Sequence, residues 1–363
     1  MTTGFVCDSR FSQHTHPESP ESSIRLEKLF EYLNKSEVID SLQKIKIETI
    51  PWDWIIYSHT KHYVDKVIKF SKENKKRISV DTYLTPFAAD LSRLGASGAV
   101  TATKAVLGGK VKNAFSIMRP AGHHAHSTHA MGYCIFNNVA IAANYAMREY
   151  KLDRIMIIDL DAHHGNGTEQ IFYASNEVLS VSFHQHPWFP GTGDYHRSGT
   201  EAGMGYNYNI TMPTWSNNES YMRGFKEIVT PLAEKFKPQL ILVSMGYDAH
   251  WMDHSSVLGL SVSGYYDLTK AIKDLASSIC SDRLVFVLEG GYNLKSTQES
   301  LAATFNALTG QSKFTDTFGL CPNKPVAPLD QSIIHLKGSM EFMQGVGEKG
   351  FYDIPVEVPY ITE

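Results

Sequence analysis

Apolar and polar positions along this 363-residue chain come in blocks, and the blocks alternate in kind. From residue 114 onward, short continuous apolar runs at 114–118, 154–159, 178–183, 239–245 and 284–289 are separated by helical patterns at 136–150, 167–175, 263–279 and 293–309. A short run with no polar alternation reads as a strand buried on both faces, the habit of parallel sheets. The 263–279 segment carries Tyr265, Leu268, Ile272, Leu275 and Ile279 on one helical face. Upstream, Gly4–Cys7 predicts a first strand, followed by a polar loop holding Pro17 and Pro20. Helices are expected at 22–33, 63–70 and 87–107, the last stopped by Gly108 and Gly109. Residues 218–236 are periodic, but Pro231 should break or kink them. From about residue 324 the periodicity weakens, and this stretch is expected to wrap the surface. No internal repeat or linker divides the chain. The pattern predicts one α/β domain over residues 1–363, with a central, mostly parallel sheet flanked by helices.

Composition narrows the partners. Hydrophobic residues make up 42% of the chain and the formal net charge is −4, with no clustered Lys and Arg block. That argues against nucleic acid, whose phosphates need such a block. The four cysteines, Cys7, Cys134, Cys280 and Cys321, form no paired motif and point to a reducing compartment. The start of the chain has neither a basic segment nor a long apolar run, so no leader and no membrane span are expected, and a cytoplasmic location is.

The unusual residues gather where strands end. Arg119-Pro-Ala-Gly-His123-His124-Ala-His126 follows the first of the regular strands. Asp159-Leu-Asp161-Ala-His163 closes the second, and His184 to Asp194, with Phe189, follows the third. Gly246-Tyr-Asp248-Ala-His250 follows the fourth, and Glu289-Gly-Gly-Tyr292-Asn closes the fifth. One D-x-D-x-H alone is as readily a solvated strand end. In a parallel sheet, however, all five clusters share the carboxyl edge, where α/β folds bind ligands. Asp161 and His163, two apart, point the same way in extended backbone. With Asp248 they make a three-ligand set for Zn²⁺ or a similar divalent ion, leaving a position for water. Either His123 or His124 is suited to move a proton to and from that water. Tyr292, on a glycine-bearing loop, offers a hydroxyl to a developing oxyanion.

These motifs resemble a known family. RPAGHHAH (119–126), GYCIFNNVAIAA (132–143), DLDAHHGNGT (159–168), VSFHQ (181–185), FPGTGD (189–194), SMGYDAH (244–250) and LEGGYN (288–293) are similar, in order, to the zinc-dependent histone deacetylases and the acetylpolyamine amidohydrolases. The region around HPESPE (16–21) and His59 is similar too. The resemblance implies an arginase-like α/β fold and one catalytic Zn²⁺ on Asp161, His163 and Asp248. It implies that His123 pairs with Asp159, that His124 is the general base and acid, and that Asn166 is its partner. Asn166 stands where many relatives carry Asp, which points to the class II-like branch. Tyr292 would polarise the acyl carbonyl. One or two structural K⁺ ions are implied as well. The inner site would use Asp159, Ser182 and the carbonyls of Asp161, His163 and Phe183; the outer one, the carbonyls of Phe172, Ser175, Val178 and Tyr208.

The same resemblance places Tyr133 and Phe189 along an acyl-lysine tunnel, Gly132 beside the substrate amide, and Asp81 and Val257 at its rim. The implied substrate is an acylated lysine in a peptide or protein, or an acetylated small amine. No glutamate lies between Gly246 and Lys273, which favours acyl-lysine over a polyamine. The rival readings are an acetylpolyamine amidohydrolase, a two-manganese ureohydrolase, and a non-catalytic acyl-lysine reader or scaffold. The oligomeric state is open, and a homo-oligomer is compatible with the sequence.

Overall fold

The computed structural model describes residues 2–349. Its eight strands are β1 (Thr3–Val6), β2 (Leu42–Ile45), β3 (Asn113–Ser116), β4 (Ile155–Asp159), β5 (Val178–Gln185), β6 (Asn207–Met212), β7 (Leu240–Met245) and β8 (Leu284–Leu288). They form one sheet in the order β2-β1-β3-β8-β7-β4-β5-β6. Every pairing is parallel, so the expected mostly parallel sheet is wholly parallel. Parallel neighbours need crossovers, and the helices supply them.

Alternation along each strand builds two cores. In β4, Met156 and Ile158 face one side and Ile155 and Ile157 the other. The first side packs against α1 (Ile24–Leu33), through Leu26 and Leu29. The second packs against α4 (Ala88–Leu107) and α5 (Asn138–Tyr150), whose Ala99, Ala102, Ala140 and Ala143 let the helices approach closely. Two short helices, α2 (Trp52–Ile56) and α3 (Lys61–Lys72), lie between α1 and α4 in the chain. After α5 come α6 (Asn166–Phe172), α7 (Asn218–Gly224) and α8 (Thr230–Phe236). The expected break near Pro231 is there: a wide helical turn over Phe225–Val229 joins α7 to α8, and Pro231 sits in the first turn of α8. The wide turn runs straight into α8, where the Thr230 N–H donates to the Phe225 carbonyl five residues back, and Pro231, which has no N–H of its own, follows it. Then α9 (Val262–Cys280) and α10 (Leu294–Thr309) cover the first side with Leu268, Ile272, Leu301 and Phe305.

Four elements were not anticipated, the short helix α2 among them. β2 and β6 extend the sheet at its two edges. The stretch beyond residue 324, expected only to wrap the surface, contains α11 (Asp330–Lys349), which seats Ile333, Leu336 and Met340 in the first core. Residues 350–363, also part of that expectation, lie outside the described residues.

The register levels the strand ends. Asp159 pairs with Ser182 on one side and Ser244 on the other, and Ser244 and Ser116 both pair with Val287. The loops that leave β3, β8, β7 and β4 therefore start at one height, side by side.

Candidate active site

Those four loops supply His123, His124, Asp161, His163, Asp248 and Tyr292. Leaving β4, the chain departs from extended geometry at once, because the strand ends at Asp159. Asp161 and His163 meet through a tight local turn: the His163 N–H donates to Asp161 Oδ1 at 2.9 Å, and His163 Nδ1 lies 3.0 Å from the same oxygen. This corrects the extended-backbone reason for their convergence. Short acidic side chains commonly hold backbone two residues on in this way. Asp248, four residues past Ser244 of β7, brings Oδ2 to 3.1 Å from His163 Nδ1.

Each carboxylate is aimed by backbone. Asp161 Oδ2 accepts from the Gly290 N–H at 2.9 Å, Asp248 Oδ1 from the Ala162 N–H at 2.9 Å, and Asp159 Oδ1 from the Asp161 N–H at 3.1 Å. A Cβ at Gly290 would strike the carboxylates of Asp248 and Asp161, so the β8 loop can close on the site only with glycine there. His163 is turned by its far nitrogen: Nε2–H donates to the Ser255 carbonyl at 3.2 Å, leaving Nδ1 towards the carboxylates.

The donor set suits a divalent cation. One ligand atom from each of Asp161, His163 and Asp248 lies within 4.8 Å of the others, and all three residues are buried. Burial, and then Asp161, push Asp248 up to about 7. Without a metal, the His163 ring, within 3.1 Å of both carboxylates, answers their charge; a cation bound to the same three side chains would take over that role. A second cluster, His123, Cys134 and Glu289, is equally tight, but its donors are already engaged. Glu289 Oε2 accepts from the Gly122 and His123 N–H groups, Oε1 accepts from Ser244, and the Cys134 thiol donates to the Gly132 carbonyl.

The tandem histidines differ. His123 Nδ1 lies 3.0 Å from Asp159 Oδ2, and His124 Nδ1 lies 2.7 Å from Asn166 Oδ1. Burial works against a charge on His123, but Asp159 and Asp161 outweigh it and raise its pKa to about 10. Burial, with His123 and His163 nearby, drives His124 well below its ordinary value. One ring is kept as a cation and its neighbour as a neutral base.

Asp81, His124, Gly132, Tyr133, His163, Phe189 and Tyr292 line one cavity of about 320 Å³, together with Pro20, His254 and Ser255. Tyr133 adopts left-handed backbone at φ 65° and sets its ring edge-on to Tyr292, with centroids 6.2 Å apart. Phe189 stands edge-on to His124 at 5.2 Å. Asp81 Oδ2 accepts from the Gly132 N–H at 2.9 Å. Val257 is not among the lining residues: its N–H is held by Gln185 Oε1 at 2.7 Å, and the same loop presents His254 and Ser255 instead. Ser182 Oγ lies 2.8 Å from His184 Nδ1, in register beside Asp159. Phe183 continues that strand. Of the outer carbonyl group, Phe172 and Ser175 close the turn after α6, Val178 opens β5 and Tyr208 lies on β6.

Residues not singled out from sequence hold the Tyr292 loop. Asp253 Oδ2 accepts from the N–H groups of Tyr292 at 2.6 Å and Asn293 at 2.7 Å. Arg25, buried on α1, donates to the carbonyls of Gly291 at 2.7 Å and Glu289 at 2.8 Å, and its guanidinium lies 4.8 Å from the Tyr292 ring centre. Glu21 pairs with both Arg25 and Arg119. A prolyl, acidic segment in a polar loop gave only one signal, its place among the motifs at the amino end. Burial raises the Tyr292 phenol well above its ordinary value, so it stays a proton donor.

The chain is similar to known proteins over most of its length. The histone deacetylase domain family matches residues 16–308. A probable deacetylase of Archaeoglobus fulgidus is 36% identical over 81% of this chain and 82% of its own length. A histone deacetylase-like amidohydrolase of Pseudomonas aeruginosa is 35% identical over 77% of this chain and 73% of its own. The crystal structure of the HDA15 HD domain superposes with a TM-score of 0.86 at 29% identity, covering 96% of this chain and 98% of that one. With that match over most of its length, this chain belongs to the histone deacetylase family and is a deacetylase-like, amide-hydrolysing enzyme.

Proposed function

We propose that the chain removes acetyl or a related short acyl group from an amine nitrogen, with acyl-lysine in a peptide or protein as the substrate class. The observation that carries this is the meeting of His124, His163 and Tyr292 at the base of a cavity walled by Tyr133 and Phe189. Asp161, His163 and Asp248 would hold Zn²⁺, which when bound supplies Lewis acidity and eases deprotonation of water. His124 Nε2 takes the proton of the attacking water. As the water oxygen bonds to the acyl carbon, the Tyr292 hydroxyl donates to the carbonyl oxygen, which becomes the oxyanion. His124 then returns the proton to the departing amine. His123, kept charged by Asp159, adds positive field beside the developing negative charge. Asp159, Ser182 and the nearby carbonyls of Asp161, His163 and Phe183 are proposed to hold K⁺.

The mouth favours acyl-lysine over an acylated polyamine. Asp81 is the only carboxylate among the lining residues, and its oxygens already accept from Gly132, Ser79 and Thr82. A second ammonium on a polyamine would find only this one carboxylate, already shared among three donors. No helix of the described residues is long and apolar enough to cross a membrane.

The test is turnover of an acetyl-lysine peptide and of acetylputrescine, with and without a chelator, beside Tyr292→Phe. Chelator-sensitive turnover of the peptide, falling about 100-fold or more in Tyr292→Phe, is expected. Preference for acetylputrescine would overturn the substrate assignment. Binding of the peptide without any turnover would favour a reader.

A further inference from the structure

Asn166 is buried and has two unlike ends. Its Oδ1 lies 2.7 Å from His124 Nδ1, while its Nδ2 lies 2.9 Å from His126 Nε2 and 3.3 Å from Met131 Sδ. A carboxylate at this position would accept from His124 whichever way it turned. An amide does so only with its oxygen inward. With oxygen inward, the His124 proton sits on Nδ1, and Nε2 keeps the lone pair that a general base needs. With the amide turned over, its NH₂ group would face Nδ1. The ring proton would move to Nε2, and His124 could no longer accept one. What fixes the sense of the amide must lie on its outer side. There, the Met131 thioether can only accept, and weakly. His126 offers the stronger acceptor.

We infer that His126 is a positioning residue which, by accepting from the Asn166 NH₂ group, sets the tautomer of His124. This rests on the reading of His124 as the base. The His126 loop is firmly placed. The His59 ring donates from Nδ1 to the His126 carbonyl at 2.9 Å and accepts from the Asn137 N–H at Nε2 at 2.9 Å. The His126 N–H donates to the His129 carbonyl at 3.0 Å, and the two rings stack with centroids 4.2 Å apart. Burial, and then His129, bring His126 down to about 4, so the ring is neutral at neutral pH, and with its proton on Nδ1 its Nε2 accepts from the amide.

The experiment reads the His124 ring by ¹⁵N-histidine NMR on the full chain, with its signal assigned by loss in His124→Gln, alongside turnover of an acetyl-lysine peptide. His126→Ala and His126→Gln are each made in the native background and in Asn166→Asp. Native His124 should be the Nδ1–H tautomer. His126→Ala should admit the Nε2–H form and lower kcat about tenfold, the scale of losing an outer hydrogen-bond partner, with KM little changed. His126→Gln should restore both. In Asn166→Asp, His126→Ala should leave the tautomer unchanged and lose little further rate. An unchanged tautomer in His126→Ala, or the same loss persisting in Asn166→Asp, would overturn the inference. If the native chain turned over no acyl substrate, the deacetylase reading would fail, while the ring spectrum would still decide the role of His126.

Discussion

Behind Tyr292 the cavity wall is braced by Glu21 between Arg25 and Arg119, with side chains no more than 2% exposed. Behind Phe189 it is braced by Glu169, which takes Asn207, Asn209 and Arg197 at 2.7 to 2.9 Å and lies 3.2 Å from His164 Nε2. The Arg197 side chain is 47% exposed. Each brace is one carboxylate gathering several donors, yet they differ in solvent. The dry brace holds the backbone of the loop that carries the proposed oxyanion donor. The wetter one ties down the loop that carries an aromatic wall, through Asn209 on the Asp194 carbonyl and His164 on Thr192. Position matters most where a donor must meet a charge to within a fraction of an ångström, and there the fold excludes water.

That contrast predicts an order of effects. Glu21→Gln leaves two buried guanidinium groups without a counter-charge and should cost about 3–5 kcal/mol in chemical denaturation, with turnover lost as the Tyr292 loop shifts. A cost below about 1 kcal/mol would mean that packing alone sets this wall.

Glu169→Gln should cost less, about 1–3 kcal/mol, since the one arginine it faces, Arg197, is half-exposed and can turn to water. Burial opposes the Glu169 charge, but His164, Asn209 and Arg197 outweigh it and bring the group down to about 2, against 4.5 unperturbed. Its folded value is therefore depressed, so its contribution is whole above about pH 4.5 and fades as pH falls towards 2. A denaturation series across that window should show the native chain losing the advantage it holds over Glu169→Gln. An equal gap at all pH values would contradict this.

Arg197→Ala should have the smallest effect, within about 1 kcal/mol, because half-exposed ion pairs contribute little. A larger loss would show that this wall is drier than its exposure implies.

Legibility followed the same division. The central strands β4, β7 and β8 are buried on both faces, and their unbroken apolar runs show it in any context. β2, reading Leu-Gln-Lys-Ile, is a half-exposed edge strand, and its pattern is that of a loop. β6 reads Asn-Tyr-Asn-Ile-Thr-Met. Its two asparagines are buried only because Glu169 waits for them from α6. In the site, chemistry at strand ends was visible because a parallel sheet delivers every strand end to one edge. Arg25 and Asp253 were not singled out, and His126 was named in its motif without a role, since each acts on a loop distant in sequence or through a neighbour.

By itself, then, the amino-acid order determined the central strands, their shared edge, the family motifs and the types of donor gathered there. These depend on local pattern and chain direction. Only the tertiary structure decided which donors meet, which carboxylates are spent on backbone N–H groups, which histidine is charged and which neutral, and which way the Asn166 amide faces. Those outcomes depend on distance and on the exclusion of water, and a residue's neighbours in the chain specify neither.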